Sequence, residues 1–264
     1  MSRRIKLVVA YDGTDFRGWA AQTGHRTVQS TLIEAVRQVS GEDCEITGAS
    51  RTDSGAHALG QVCHFDLEAA IPAERWPAAL NRALPRDIRV RSAAEVDSAF
   101  HSRFCARDRS YRYRILQNES DPFRGRFAHR EPRPLDVDRM RASATLLIGL
   151  HDFIAFTAEL SPDVGNTMRT LRSVGVSRVR DEVRIDVVGT AFLRGMMRRI
   201  AGALLEVGRD RRKPESLRAL LVGGLNPDTQ PVVLPAHGLT LMRVRYGRHP
   251  VDNRANNETA SDEA

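Results

Sequence analysis

Ile5, Leu7 and Val9 alternate with Lys6 and Val8, the period-two pattern of a strand, and the run stops at an Asp12-Gly13 turn. From Val28 the apolar spacing becomes helical. Val28, Leu32, Ala35, Val36 and Val39 fall on one face, with Thr27 placed to cap the start and Gly41 to stop the end. Cys44 to Thr47 and Gln61 to Leu67 read as two more strands. Pro72 to Ala83 then reads as a helix with Trp76 and Leu80 on one side, closed by Leu84-Pro85, and Ile88, Val90 and Val96 mark another strand. The order is β-α-β-β-α-β, in which two helices cover one face of an antiparallel sheet.

The same order returns further along. Ser110 to Ile115 alternates aromatic or aliphatic with cationic residues. A helix follows through Val137, Met140, Leu147 and Ile148, capped by Asp136 and closed by Gly149. Val174 and Val176 belong to one strand and Val183, Ile185 and Val187 to the next, across a polar turn at Arg180-Asp181-Glu182. Phe192, Met196, Ile200, Ala203 and Val207 form an amphipathic helix stopped by Gly208, and Leu239 to Val244 is a last strand after an inserted helix near Pro214 to Leu221. Asp121 to Pro134, rich in Pro and Arg, reads as a surface excursion. The pattern predicts an α+β protein of two ferredoxin-like halves, residues 1–105 and 106–247, with a basic cleft between them and a disordered polar tail, 248–264.

Composition narrows the partners. The 264 residues hold 40 basic and 33 acidic side chains, a net charge of +7, which favours an anionic partner, with nucleic acid ahead of a membrane surface. Lys6 and Lys213 are the only lysines, so the charge is almost wholly guanidinium, which suits bidentate phosphate contacts. Three cysteines, Cys44, Cys63 and Cys105, form no C-x-x-C pair and suggest neither a disulfide framework nor zinc. Without a signal-peptide h-region or an apolar run of transmembrane length, the expected compartment is the cytoplasm.

One stretch carries candidate chemistry, Gly48 to Asp66, which reads GASRTDSGAHALGQVCHFD. Asp53-Ser54-Gly55 is ordinary turn chemistry, since Asp bonds its own following backbone and Gly supplies positive φ. The loop reads as running on to Gly60, however, longer than a hairpin needs, and it sets the cation of Arg51 two residues from the Asp53 carboxylate. A positioned carboxylate is a nucleophile or a base. No phosphate-binding G-x-x-x-x-G-K-[ST], no G-x-G-x-x-G after a strand and no zinc motif is present, so the expected chemistry uses side chains alone, with no cofactor or metal.

The residues from Arg51 to Val62 resemble the signature loop of the TruA family of tRNA pseudouridine synthases. Tyr11-Asp12-Gly13, Phe16-Arg17-Gly18-Trp19, Asn81 with Leu84 to Ile88, Phe100 to Phe104, Tyr111-Arg112-Tyr113 and Ala236 to Leu239 follow in that family's order. The resemblance covers the chain from about residue 5 to about residue 246. It implies a cofactor-independent isomerase that converts uridine to pseudouridine in the tRNA anticodon stem-loop, at about positions 38 to 40, and that works as a homodimer. It implies that Asp53 is the catalytic aspartate, that Arg51, which matches the arginine before the Thr-Asp pair, and Arg198, which reaches the aspartate, belong with it to the catalytic set, and that Tyr111 stacks against the target base. Whether the carboxylate attacks the ribose, attacks the uracil ring or abstracts a sugar proton is left open. Ser50 stands where the family commonly has Gly, Ser54 where it has Ala, and Ala56 where it has Val; a left-handed Ser50 would cost about 1 kcal/mol. Gly195, Arg199 and Ala20 also depart from the usual pattern. Two rival readings are a non-catalytic RNA-binding protein with RRM-like sheets and an aspartate-dependent phosphoryl transferase, the latter without a phosphate cradle or a Mg-binding acid cluster.

Overall fold

The computed structural model describes residues 2–117, 121–157, 166–224, 226 and 228–247; the predicted disordered tail lies outside them. The chain divides into two compact units, one made of residues up to Arg107 and those from Leu241 onward, the other spanning Asp108–Thr240. Each is α+β.

In the first unit, strand β1 (Arg3–Tyr11) buries every second side chain, Ile5, Leu7, Val9 and Tyr11, as the alternation predicts. Helix α1 (Val28–Ser40) has the predicted boundaries. Thr27 accepts from the Ser30 amide while the Ser30 hydroxyl accepts from the Thr27 amide, and Gly41 closes the helix at φ +78. Strand β2 is only Thr47–Gly48, so the expected strand from Cys44 is reduced to its last residue and the next. Strand β3 (His57–Leu67) begins earlier than expected. His57 to Gly60 therefore belong to the sheet; Ala58 and Gly60 have weak strand propensity, and pairing with β1 decides their conformation. A 3₁₀ turn at Ala73–Arg75 replaces the first turn of the expected helix, and α2 (Trp76–Ala83) follows. Strand β4 (Ile88–Val96) and β3 flank β1, both antiparallel to it, and β2 pairs with β3.

The two faces of this sheet differ. Ile5 pairs with Phe65, whose ring meets Trp76 of α2 at 5.4 Å, so the helices cover that face. On the other face Lys6 pairs with His64, and the segment after β4 lies over it. Ser102 Oγ sits 3.0 Å from His64 Nδ1, and Arg4 donates to the carbonyls of Ser98 and Phe100 while forking onto Asp66. His64 is accordingly buried, as a packed residue. The open sheet face that an RRM-like binder would offer is largely occupied by this segment.

In the second unit, β5 (Ala106–Leu116) leads to a one-turn helix α3 (Pro122–Gly125) and a short strand β6 (His129–Arg130) parallel to β5. Helix α4 (Val137–Ala144) is capped by Asp136 as expected, but its last turn is 3₁₀, Thr145–Leu147. Gly149, at φ +117, opens an unforeseen strand β7 (Gly149–Asp152). Strands β8 (Met168–Val179) and β9 (Glu182–Gly189) form the expected hairpin, with Arg180 left-handed in the turn. The antiparallel pairing runs β5-β9-β8-β7. Helix α5 (Met196–Gly208) starts four residues later than Phe192, because Gly195 is left-handed and ends the preceding turn. Arg194 consequently lies off the helix that carries Arg198. Helix α6 (Ser216–Val222) is the predicted insertion, and β10 (Leu239–Tyr246) closes the described fold, its later residues lying beside β3 in the first unit.

Glu182 anchors the β8–β9 end of this unit. It is almost wholly buried; burial pushes its pKa up, but Arg114 and Arg184 hydrogen-bond it and hold it down at about 2.

Candidate active site

Asp53 sits half-buried on a loop of eight residues, 49–56, between β2 and β3. Its carbonyl accepts from Ala56 N at 3.0 Å, and Gly55 takes φ +81, the positive value that the Asp-Ser-Gly turn needs. The loop is shorter than the expected run to Gly60, yet it is held far more tightly than a simple connection. At its base Ala49 N donates to Val62 O and Gln61 Nε2 donates to Ser50 O, at 2.8 and 2.6 Å.

Ser50 is not left-handed: among the described non-glycine residues only Arg180 and Asp210 have positive φ. The backbone cost expected for Ser50 does not arise, and the departure from Gly is conformationally neutral there.

The segment after β1 clamps the loop from the side. Thr52 O accepts from Trp19 N at 3.1 Å, and the buried Thr52 hydroxyl meets Tyr11 Oη at 2.7 Å. Phe16 O accepts from Gly55 N at 3.2 Å and from Ser54 Oγ at 3.3 Å. The glycines explain how two backbones come so close. A Cβ on Gly13 would stand 1.8 Å from Ala56 O, and one on Gly18, at φ +88, would stand 2.7 Å from Thr52 O. Buried His57 completes the clamp, its Nδ1 lying 3.0 Å from the Gly13 amide and 3.2 Å from Asp12 Oδ1.

Sequence reasoning assigned no part in the site to Tyr11, Gly13, Gly18 or His57. Their only signal is that they stand in motifs preserved in order, because the contacts they make span about forty positions of chain.

Arg51 is exposed on the same loop, two residues before Asp53. Tyr111 and Arg198 belong to the second unit. Tyr111 is buried on β5, 4% exposed, with Phe192 edge-on to its ring at 4.9 Å; Tyr113 and Ile115 share its strand face and are also buried. Arg198, half-buried in the first turn of α5, donates from Nε to Leu234 O at 2.6 Å. Its neighbour Arg199 has its pKa lowered by burial and by Arg198, and donates to Pro231 O.

Among the described residues no group of three or more His, Cys, Asp or Glu side chains is placed to hold a metal ion, and no helix is long and apolar enough to cross a membrane. The three cysteines are unbridged, with burial pushing the Cys63 thiol up and the Cys44 thiol up to about 11.

Comparison with known proteins gives the family. A family profile described as tRNA pseudouridine synthase matches residues 7–105 and 143–247, which include Asp53 and Arg198. The chain is 41% identical over 245 residues to the tRNA pseudouridine synthase A of Brevibacillus brevis, covering 92% of this chain and 100% of that one. It is 42% identical to the enzyme of the same name from Bacillus pumilus, over 92% of this chain and 99% of the relative. A third, from Halalkalibacterium halodurans, is 40% identical over 95% of both. With a family match over most of the chain and identity of about 40% over 92% of it or more, the chain belongs to the tRNA pseudouridine synthase family.

Proposed function

We propose that this protein is an isomerase that converts uridine to pseudouridine in tRNA, with the Asp53 carboxylate as the catalytic group. The observation that carries the reading is the clamped loop: the backbone on either side of half-buried Asp53 is held by hydrogen bonds to the segment after β1 and by the Tyr11–Thr52 pair, so the place of the residue is set before substrate arrives.

The reaction breaks the N1–C1′ bond, turns the base and joins C5 to C1′. N1 gains a proton and C5 loses one, so no oxidant, reductant or external group is needed. Asp53 acts at the glycosidic bond, where a fixed anion next to C1′ favours the separation of base and sugar. Arg198 orients the carboxylate and Tyr111 supplies an aromatic face for the base, which must be retained between the two bonds. Because Tyr111 is 4% exposed, accepting a base on its ring calls for movement of a covering side chain. Arg51, exposed on the loop, offers a cation to the phosphates beside the target nucleotide.

The target uridines lie in the anticodon stem-loop, at about positions 38 to 40, where a nucleotide is extruded at less cost than within a long duplex. The protein works in the cytoplasm as a homodimer. The test is incubation with tRNA carrying tritium at C5 of uridine, followed by position mapping. Tritium release matched by pseudouridine in the anticodon arm, undiminished by EDTA, is the expected result. Intact label after prolonged incubation with tightly bound tRNA overturns the reading in favour of a pure binder.

A further inference from the structure

On the sheet face away from the helices of the first unit, one aromatic side chain is left uncovered. Phe104 is 51% exposed, whereas Phe100 and His64 beneath the same segment are 4% and 6% exposed. Its ring lies on that of His101, with centroids 4.3 Å apart and planes 28° from parallel. His101 is in turn fixed. Its Nδ1 accepts from the amides of Arg103 and Phe104, both at 3.2 Å, which leaves that nitrogen without a proton, and its ring meets His64 edge-on at 5.0 Å. The Arg103 guanidinium stands 5.7 Å from the centre of the Phe104 ring.

We propose that Phe104 is a stacking platform for an unpaired nucleobase of the RNA substrate, outside the Asp53 loop, with Arg103 beside it for the adjoining phosphate. The proposal rests on the reading that this chain binds tRNA. Three features select a nucleobase. The ring is already stacked on one side, so a planar π-system on the other extends the stack, and a base of any identity satisfies it. The His101 ring under Phe104 is held by two backbone amides, so the stack starts from a fixed support and less freedom is lost on binding. The chain carries +7 net charge and places an arginine at the ring, which matches a polyanion with flat side groups.

Phe104→Ala and Phe104→Tyr, measured for equilibrium binding and turnover with unmodified tRNA, test this. Phe104→Ala is expected to weaken tRNA binding about tenfold, the loss typical of one stacked base, while Phe104→Tyr stays within about twofold. The slope of affinity against salt remains that of the wild type, because no phosphate contact is removed, and turnover at saturating tRNA is unchanged. Unaltered affinity in Phe104→Ala, or equal losses in both variants, overturns the platform; so does an equal loss on uninterrupted duplex RNA, which offers no free base. A wild-type protein that forms no pseudouridine, with Phe104→Ala still losing affinity for tRNA, removes the isomerase reading and leaves the platform standing. An active wild type with Phe104→Ala binding normally removes the platform alone.

Discussion

The loop that carries Asp53 is tied down by a hydroxyl pair at the adjoining residue. Tyr11 Oη and Thr52 Oγ1 meet at 2.7 Å in a buried setting, and Thr52 is the residue before Asp53. Tyr11→Phe removes that bond and leaves the Thr52 hydroxyl without this partner, a loss of about 1 kcal/mol in stability. The effect on rate is expected to exceed the effect on stability, because the variant loosens the loop without touching RNA. Steady-state kinetics on tRNA should show a lower kcat with KM within about twofold. A raised KM with normal kcat would contradict a positioning role. A second residue-scale effect is stability against acid. Burial, with Arg4 and His101 nearby and Asp66 opposing them, lowers the pKa of His64 to about 4. The unfolded chain therefore takes up a proton at its ordinary value near 6.5 while the folded one does not. This contribution is complete above pH 6.5 and is lost as the pH falls towards 4, on the order of 3 kcal/mol in all. Urea midpoints measured at pH 7 and pH 4.5 should fall less in His64→Gln than in the wild type; equal falls would show that His64 is not a source of the acid sensitivity.

At the scale of elements, the close approach of the 13–19 segment to the 49–56 loop is what turns a connection into a site. Gly13→Ala introduces a methyl that cannot coexist with Ala56 O, so one backbone has to move, and a displacement of about 1 Å at a catalytic group lowers the rate about a hundredfold. Gly175→Ala, at a position in β8 where a Cβ meets nothing and φ is ordinary, is the control for handling; a Gly13→Ala enzyme of normal activity would show that the clamp does not set Asp53. Elements whose limits are written locally were legible in the sequence. Helix α1 is the clearest, with Thr27 and Gly41 at its ends and an apolar stripe between. The first residues of β3 were not, because Ala58 and Gly60 have no strand preference of their own and owe their conformation to pairing. Strand β7 was hidden for the same reason, being four residues that extend only because β8 lies beside them. The late start of α5 turns on the left-handed Gly195, which a pattern of apolar positions does not register. Of the site, the acid and its turn were legible from Asp53-Ser54-Gly55. The clamp was not, since Tyr11 and Thr52 are 41 positions apart and no local periodicity links them.

Taken whole, the molecule is a basic α+β protein whose charge is almost all arginine, a surface suited to a folded polyanion. Its relatives over nearly the full chain are tRNA pseudouridine synthases, and its clamped 49–56 loop carries the carboxylate that the proposed isomerisation uses. On the proposed reading, binding to tRNA is spread over many cations and does not require Asp53, whereas isomerisation does. The two are separable by one substitution. Tritium release from C5-labelled uridine in tRNA, measured for Asp53→Asn beside the wild type with tRNA affinity determined in parallel, tests this directly. The variant should bind tRNA within about threefold of the wild type and release no tritium above background, a loss of at least about four orders of magnitude in rate. Wild-type release by Asp53→Asn would contradict the assignment of the catalytic group.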